Sequence, residues 1–192
     1  VKSYLTVNTI VYDEELDEMR RIAGAAPGLE IEAFVHGAIC VCYSGRCFMS
    51  RSMGPRSGNR GDCSQACRLP YELLDGRMRS QGRARHWLSV RDLNLSDRLE
   101  EMIDAGVGSF KIEGRLKDMD YVKNITAFYR KKLDAFLNTH PEYAKESVGD
   151  VRFSFTPDPA KTFNRGATEY FVHDRNPHIA TITTPKNAGE PI

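Results

Sequence analysis

The first forty residues alternate between strand-like and helix-like patterns of apolar positions. Residues 4–8 alternate polar and apolar side chains, which is the period of a half-buried strand. Residues 13–26 carry apolar side chains at helical spacing with acids in the first turn, and Pro27-Gly28 ends that helix. Residues 29–35 are a second strand candidate, which leads into His36-Gly37. The pattern therefore predicts a strand, a helix and a second strand.

The same alternation returns after residue 85. Residues 86–90 are predicted to form a short strand, and residues 107–112 are predicted to form another. Between them, Gly106 ends a helix that Asn94 or Ser96 caps, and the apolar stripe of this helix comprises Leu95, Leu99, Met102 and Ile103. Strands and helices in such close succession predict parallel strands joined by right-handed crossovers.

A long helix follows, and the pattern weakens after it. Asp118 can cap this helix, whose apolar stripe comprises Met119, Val122, Ile125, Tyr129, Leu133 and Phe136. The tail from residue 139 is rich in proline, and it offers strand candidates at residues 151–155 and 179–183.

Residues 38–85 interrupt the regular pattern. They contain all five cysteines of the chain and show no sustained periodicity. Because loops of this length inside compact domains are uncommon and usually functional, we expect a Cys-rich inserted loop.

The composition is that of a globular protein. Of the 192 residues, 41% are hydrophobic and 28% are charged, which suits one or two domains with a packed core. No apolar run approaches the roughly 20 residues of a membrane span, and no apolar signal segment opens the chain. We therefore expect a cytoplasmic protein with reduced thiols and no membrane partner. Because the first residue is Val1, we also expect the chain to start inside a longer protein.

Four of the cysteines have a spacing that suits a metal or a cluster. The intervals between Cys40, Cys47, Cys63 and Cys67 are seven, sixteen and four residues. Thiolates are soft ligands that prefer zinc or iron–sulfur clusters, but this spacing is neither that of a ferredoxin nor that of a zinc ribbon. Spacing alone therefore leaves a metal site and unlinked buried thiols equally open.

The cysteine segment is also strongly basic, although the net charge of the chain is only +1. Residues 46–85 contain nine arginines, no lysine and three acids, a local charge of +6, so the other residues sum to −5. Guanidinium groups match phosphate oxygens, which favours an RNA partner with Arg56, Arg60 and Arg68 as the predicted contacts. The alternative is a solvated loop with local ion pairs.

Three polar residues follow predicted strands directly: His36 after the strand at residues 29–35, and Glu113 and Arg115 after the strand at residues 107–112. Because parallel α/β folds place their sites at the carboxyl ends of strands, we expect these residues to meet on one face, toward the cysteine loop. There His36 would exchange a proton, Glu113 would orient it, and Arg115 would hold an anion. The alternatives are a structural histidine and a Glu113–Arg115 ion pair that shapes the turn.

Two common hydrolase signatures are missing from the sequence. The chain has neither a His-Glu-x-x-His motif nor a Gly-x-Ser-x-Gly motif, which argues against a zinc protease and an α/β-hydrolase. A nucleophilic pair of His36 with a nearby cysteine is conceivable, but no motif supports it.

Several strings of the sequence together resemble one known family. They are Glu32-Ala-Phe-Val-His-Gly-Ala-Ile-Cys40, Tyr43-Ser-Gly-Arg-Cys47, Asn59-Arg-Gly-Asp-Cys63, Cys67-Arg-Leu-Pro-Tyr71 and Phe110-Lys-Ile-Glu-Gly-Arg115. Tyr129-Arg130 and Phe163-Asn-Arg-Gly166 fit the same pattern. The chain resembles the collagenase-like peptidases of family U32 over almost its whole length.

This resemblance implies both a cofactor and an activity. Members of the family were named as proteases, and the better-understood ones hydroxylate bases in tRNA or rRNA, or a quinone precursor, without molecular oxygen. Those members hold a 4Fe–4S cluster on four cysteines, a cluster that oxidation can remove from the purified protein. The implied ligands here are Cys40, Cys47, Cys63 and Cys67, whereas Cys42 stands where the family commonly has serine and is expected to point elsewhere.

The resemblance therefore favours oxygen-independent hydroxylation of an RNA base, in tRNA or rRNA, with a small anionic oxygen donor as a further partner. Two alternatives stay open. One is a collagenase-like peptidase, a hydrolase, and the other is a non-catalytic factor that carries the cluster for binding or assembly.

The resemblance also implies a TIM-like barrel, of which this chain holds only a part. A complete barrel needs eight βα units and about 250 residues, whereas four predicted strands precede residue 139. We therefore expect an α/β fold of TIM-barrel-like parallel βα units, incomplete in this chain. Residues 1–138 would form the partial barrel, with the Cys/Arg-rich insertion at 38–85. Residues 139–192 would form a C-terminal extension that leads into a further domain.

Overall fold

Strands and helices alternate along much of this computed structural model, which describes residues 4–7, 15–43, 45–114, 117–145, 149, 151–170 and 172. In these ranges the strands are β1 (Tyr4–Val7), β2 (Glu30–Gly37), β3 (Asp92–Asn94), β4 (Val107–Ile112) and β5 (Ala167–Thr168). The α-helices there are α1 (Glu15–Ala25), α2 (Met49–Met53), α3 (Leu99–Asp104) and α4 (Met119–Thr139). Short 3₁₀ turns cover Gly58–Arg60, Ala66–Arg68 and Pro159–Lys161.

The sheet is built around β2. This strand pairs in parallel with β1 and with β4, and β3 pairs in parallel with β5. Among the described strands, β2 pairs antiparallel with β3, through His36↔Asn94 and Gly37↔Leu93. The predicted α/β fold with mainly parallel strands is confirmed, and the antiparallel pair arises because β3 follows the long cysteine segment rather than a helical crossover.

Alternation along β2 divides the sheet into a buried face and a half-exposed face. Ile31, Ala33 and Val35 are at most 1% exposed, and they belong to one core with helical side chains that include Met19 of α1, Met102 of α3 and Ile125 of α4. Full burial of such side chains contributes roughly 1.5–3 kcal/mol each. On the other face Glu32 is only half-buried, and its carboxylate accepts from Lys111 Nζ of β4 at 2.9 Å.

The predicted strand at residues 86–90 is wrong, because the strand in this region is β3, at Asp92–Asn94. The predicted caps of the next helix are also wrong. Helix α3 begins at Leu99, and Arg98 occupies the capping position without a side-chain hydrogen bond. The Asn94 side chain instead accepts from the backbone N–H of Ser96 at 3.1 Å, which makes a local turn before the helix. Gly106 adopts φ +95° and ends the α3 region as predicted.

Asp118 caps α4 as predicted, since its carboxylate accepts from the backbone N–H of Tyr121 at 2.8 Å. The predicted apolar stripe is wrong at its start, because Met119 and Val122 are exposed. The buried face comprises Tyr121, Asn124, Ile125, Ala127 and Tyr129. Hydrogen bonds satisfy its polar groups, for example from Tyr121 Oη to the carbonyl of Glu113 at 3.0 Å, and this permits their burial.

The segment 38–85 has more local structure than a plain loop. Besides α2 and two 3₁₀ turns it contains a hairpin-like excursion, closed by isolated bridges between Tyr71 and Arg85 and between Leu74 and Ser80. The predicted strand at 151–155 is absent, since these described residues form only bends and irregular backbone. The strand predicted at 179–183 lies outside the described residues. Among the residues described, no helix has both the length and the hydrophobicity needed to cross a bilayer.

Candidate functional site

All five cysteines line one cavity of about 770 Å³ that opens beside the carboxyl end of β2. Each of them is a free thiol, Cys40 being exposed and the other four half-buried. Gly58 lies beside two of them, since a Cβ built there would be in ordinary contact with the Cβ of Cys63 at 3.8 Å and with that of Cys47 at 4.0 Å. The structure therefore brings the four predicted ligands together. Cys42 lines the same cavity, so the expectation that it points elsewhere is not met.

Short hydrogen bonds hold the two central cysteines in place. The backbone N–H of Cys47 donates to Asn59 Oδ1 at 2.9 Å, and the backbone N–H of Gln65 donates to Cys63 Sγ at 3.2 Å. Ser50, which is 2% exposed, contacts Cys63 Sγ through its hydroxyl at 3.9 Å. The Gln65 amide and the Ser50 hydroxyl thus both point a donor at the sulfur of Cys63.

The thiols also influence one another. Burial, with the neighbouring Cys47 thiol adding to it, raises the pKa of Cys42. Burial likewise raises the pKa of Cys67, while the positive charge of Arg68 beside it opposes the shift. Within the described residues, no three cysteine, histidine or acidic side chains lie close enough together to hold a single metal ion.

Arg68 braces the cysteine segment from inside. Its guanidinium donates to the carbonyl of Ile39 at 2.6 Å, to the carbonyl of Val90 at 2.5 Å and to Ser89 Oγ at 3.1 Å. These bonds tie the 3₁₀ turn at Ala66–Arg68 to both ends of the segment. The engagement of its donors within the protein argues against the predicted contact of Arg68 with RNA.

The other arginines of the segment face solvent. Arg46, Arg51, Arg56, Arg60, Arg77, Arg79, Arg83 and Arg85 are all exposed. Arg56 also supports the cysteine loop, because its Nε donates to Asp62 Oδ1 at 2.8 Å and its Nη2 donates to the carbonyl of Cys63 at 2.9 Å. From Cys40 to Arg60 the sequence contains four arginines and no acid, so the surface beside the cavity is positively charged. Arg60 and the remaining exposed donors of Arg56 are therefore available for the predicted RNA contacts.

His36 and Glu113 lie at the carboxyl ends of neighbouring parallel strands, as predicted from topology. The backbone N–H of Glu113 donates to the carbonyl of His36 at 2.8 Å. The approach is so close that a Cβ at Gly37, where φ is +110°, would lie 2.5 Å from the carbonyl oxygen of Glu113. Arg115, the third predicted member of this group, lies outside the described residues.

The imidazole of His36 does not face the cysteine cavity. It lines a second cavity of about 420 Å³ together with Asp92 and Asn94 of β3. The Tyr129 hydroxyl donates to the carbonyl of Val35 at 2.7 Å, and its oxygen lies 3.3 Å from His36 Nδ1. Burial lowers the pKa of His36 to about 4, against the opposing influence of Asp92. The ring is therefore neutral near pH 7 and a weak proton acceptor, which favours the structural alternative.

A buried ion pair that was not predicted lies at the same end of the sheet. Arg165 Nη1 lies 3.2 Å from Asp92 Oδ1, and each side chain is only 6% exposed. Arg165 Nη2 also donates to Gln65 Oε1 of the cysteine segment at 3.4 Å. Nearby, Lys117 Nζ lies 3.2 Å from the centre of the Phe163 ring, and burial lowers its pKa to about 8. The family string Phe163-Asn-Arg-Gly166 could have pointed to Arg165. Asp92 was missed because the strand of this region was predicted at residues 86–90 rather than at Asp92–Asn94.

Comparison with known proteins places these features in a family context. The chain is 50% identical over 177 residues to the 23S rRNA 5-hydroxycytidine C2501 synthase of Escherichia coli, a match that covers 92% of this chain and 27% of that protein. It is 37% identical over 150 residues to tRNA hydroxylation protein P1 of Bacillus subtilis, covering 74% of this chain and 36% of the relative. It is 36% identical over 148 residues to a collagenase of Porphyromonas gingivalis, covering 77% of this chain and 39% of the relative.

The chain thus spans between 27% and 39% of the length of these three relatives. No solved structure matches it. The sequence model of Peptidase family U32 matches residues 15–181, which include the cysteine cavity and the ends of β2 and β4. Because this match covers most of the sequence, the chain belongs to Peptidase family U32.

Proposed function

We propose that the protein hydroxylates a base of rRNA or tRNA, without molecular oxygen, at the cysteine-lined cavity. The observation that carries this proposal is the gathering of Cys40, Cys47, Cys63 and Cys67 around one cavity beside an arginine-rich, acid-free surface. The relatives named for 5-hydroxycytidine synthesis and for tRNA hydroxylation support it. The reaction belongs in the cytoplasm, where thiols stay reduced.

The four cysteines suit a 4Fe–4S cluster. Their donors are soft, and the described residues that line the cavity include no carboxylate and no histidine. Such a cluster takes cysteine thiolates as its ligands, and Cys40, Cys47, Cys63 and Cys67 would supply them. The cluster would supply electron-transfer chemistry.

The surrounding residues would fix the cavity and attract the substrate. Arg68 ties the ligand-bearing segment to residues at the ends of β2 and before β3, and Ser50 and the Gln65 amide contact the Cys63 sulfur. The exposed Arg56 and Arg60 would neutralise RNA phosphates. Lys117, which is only half-buried, is a cation that could hold the carboxylate or phosphate of a small anionic oxygen donor, a role that we also keep for Arg115.

His36 and Glu113 would shape this end of the site. The pKa of about 4 makes His36 a weak base near pH 7, so we assign it to holding the ends of β2, β3 and α4 together. Glu113 remains a candidate for orienting a substrate group, because it is half-buried at the end of β4.

We further propose that the sheet is part of a TIM-like barrel. The half-exposed face of β2 and β4 carries Glu32, Phe34 and Lys111, and a closed barrel would turn such a face inward. In this arrangement residues 1–138 contribute the partial barrel, with the Cys/Arg-rich insertion at 38–85. The described part of the following segment completes the same sheet, because β5 pairs with β3.

A peptidase is the main competing function, because one relative is named a collagenase. The described lining of the cysteine cavity includes no histidine that could activate a thiol nucleophile, which weighs against a cysteine peptidase there. A non-catalytic cluster-bearing factor would keep the same thiols but produce no modified nucleoside.

Nucleoside analysis distinguishes these functions. The intact protein is expressed in Escherichia coli lacking its 23S rRNA 5-hydroxycytidine C2501 synthase, and the nucleosides of rRNA and tRNA are measured by mass spectrometry. We expect a hydroxylated nucleoside that the deletion strain lacks. Unchanged nucleosides, together with cleavage of gelatin or collagen-like peptides by the purified protein, would instead support the peptidase.

A further inference from the structure

Two large aromatic rings are exposed at the cysteine cavity. Tyr43 is 62% exposed and Phe48 is 69% exposed, and both line the cavity. Aromatic side chains usually bury a large apolar area, so two exposed rings at one opening indicate a surface that another molecule covers. Val41 and Leu88, which are also exposed, extend this apolar rim.

Backbone hydrogen bonds engage both aromatic residues. The carbonyl of Tyr43 accepts from the backbone N–H of Arg46 at 3.1 Å. The carbonyl of Phe48 accepts from the backbone N–H of Ser52 at 3.0 Å, at the start of α2. These bonds hold the main chain that carries the two rings at the cavity.

The charge around the rings identifies the partner as a polyanion. Arg46 lies between the two aromatic residues in sequence, Arg51 follows them, and both are exposed. The first acid after this stretch is Asp62, and it already pairs with Arg56 at 2.8 Å. Cations that flank flat apolar rings suit single-stranded nucleic acid, since arginines neutralise phosphates while the rings stack on bases.

A base inside a duplex offers neither of its faces to such rings, so the bound base must leave its helix. We infer that Tyr43 and Phe48 form a stacking platform for a nucleobase turned out of the RNA and directed toward the cysteine cavity. This inference rests on the proposed function, because it names the contact by which that site holds its substrate.

The test measures how tightly the intact protein binds an RNA hairpin with one bulged cytidine, using fluorescence anisotropy. The same hairpin with an abasic residue at the bulge removes only the base. Tyr43→Leu and Phe48→Leu remove one ring each, and Tyr43→Phe keeps the ring but loses the hydroxyl. Phe155→Leu is the matched control, because Phe155 is an exposed aromatic residue outside the cysteine segment.

We expect each ring-to-leucine substitution to raise the Kd for the bulged hairpin by about 5- to 100-fold. Tyr43→Phe and Phe155→Leu should bind as the unmodified protein does. The abasic hairpin should bind the unmodified protein weakly, and the leucine variants should weaken that binding no further. Circular dichroism and a count of reactive thiols check that each variant is folded.

Two results overturn the inference without touching the proposed function. One is equal binding of the bulged and abasic hairpins by the unmodified protein, and the other is unchanged RNA affinity in a folded Phe48→Leu variant. If the intact protein binds no RNA even at low salt, or binds a collagen-like peptide in its place, the proposed function fails together with the inference.

Discussion

The buried pair of Asp92 and Arg165 should be the most sensitive polar contact in the described structure. Asp92→Asn keeps the size and shape of the side chain and removes its charge. Arg165 would then stay buried at the end of the sheet without a counter-charge, in a place where its Nη1 now lies 3.2 Å from Asp92 Oδ1.

The expected cost follows from the burial of both partners. Each side chain is 6% exposed, and the backbone N–H of Arg165 also donates to Asp92 Oδ2 at 3.1 Å. Removing one partner of a buried pair costs about 3–5 kcal/mol, because the remaining charge is left uncompensated. Asparagine can still accept the backbone bond, so we expect Asp92→Asn to lower the free energy of unfolding by about 3 kcal/mol.

Urea unfolding measures this effect directly. Arg165→Leu and the double variant Asp92→Asn/Arg165→Leu complete a cycle, and the double variant should lose less stability than the two single variants added together. Arg20→Gln is the control, since Arg20 and Asp17 form an ion pair whose side chains are 51% and 66% exposed; its loss should have almost no effect. A loss below about 1 kcal/mol in both single variants, or simple additivity in the double variant, would refute the reasoning.

Three further predictions concern the same end of the sheet. Burial lowers the pKa of His36 to about 4, so the unfolded chain binds more protons than the folded protein between about pH 4 and pH 6.5. The free energy of unfolding is therefore highest above pH 6.5 and falls by up to about 3 kcal/mol as the pH drops toward 4. His36→Gln should flatten this part of the pH profile, and an unchanged profile in that variant would contradict the prediction. Arg68→Met leaves the carbonyls of Ile39 and Val90 without their partner, so it should lower the free energy of unfolding by about 2–3 kcal/mol. It should also speed the reaction of the cysteines with a thiol reagent, whereas Arg83→Met, at an exposed position, should have neither effect. Gly37→Ala places a Cβ 2.5 Å from the carbonyl oxygen of Glu113 and should cost about 2 kcal/mol or more in urea unfolding, whereas Gly24→Ala, in an open position of α1, should stabilise by up to about 1 kcal/mol.

Local signals predicted the regular parts of the fold well. The strand at Val107–Ile112 and the Asp118 cap of α4 follow from short-range patterns, and the structure reproduces both. The position of strand β3 could not be predicted from local patterns, because a three-residue strand has too few positions to show alternation. The burial of Asn124 could not be predicted either, since it depends on an acceptor 34 residues away: Asn124 Nδ2 donates to the carbonyl of Asp158 at 2.7 Å.

The candidate site was predictable in its residue types but not in its partners. Cysteine spacing and the family resemblance located the segment that lines the cavity. They could not show that Arg68 donates to backbone carbonyls inside the protein. An arginine with that role and one that binds a phosphate cannot be distinguished from sequence alone. The pairing of Asp92 with Arg165 joins residues separated by 73 positions, which no local pattern reports.

The comparison of Cys63→Ser with Cys42→Ser in the nucleoside assay tests the central claim most directly. Both thiols line the same cavity, so the two substitutions perturb the same surface. Of these two cysteines, however, the account makes only Cys63 a cluster ligand. It predicts that the Cys63→Ser protein loses its iron and leaves RNA unmodified, while the Cys42→Ser protein keeps both its iron and its hydroxylated nucleoside. A Cys63→Ser protein that still hydroxylates RNA at the normal level would contradict the account.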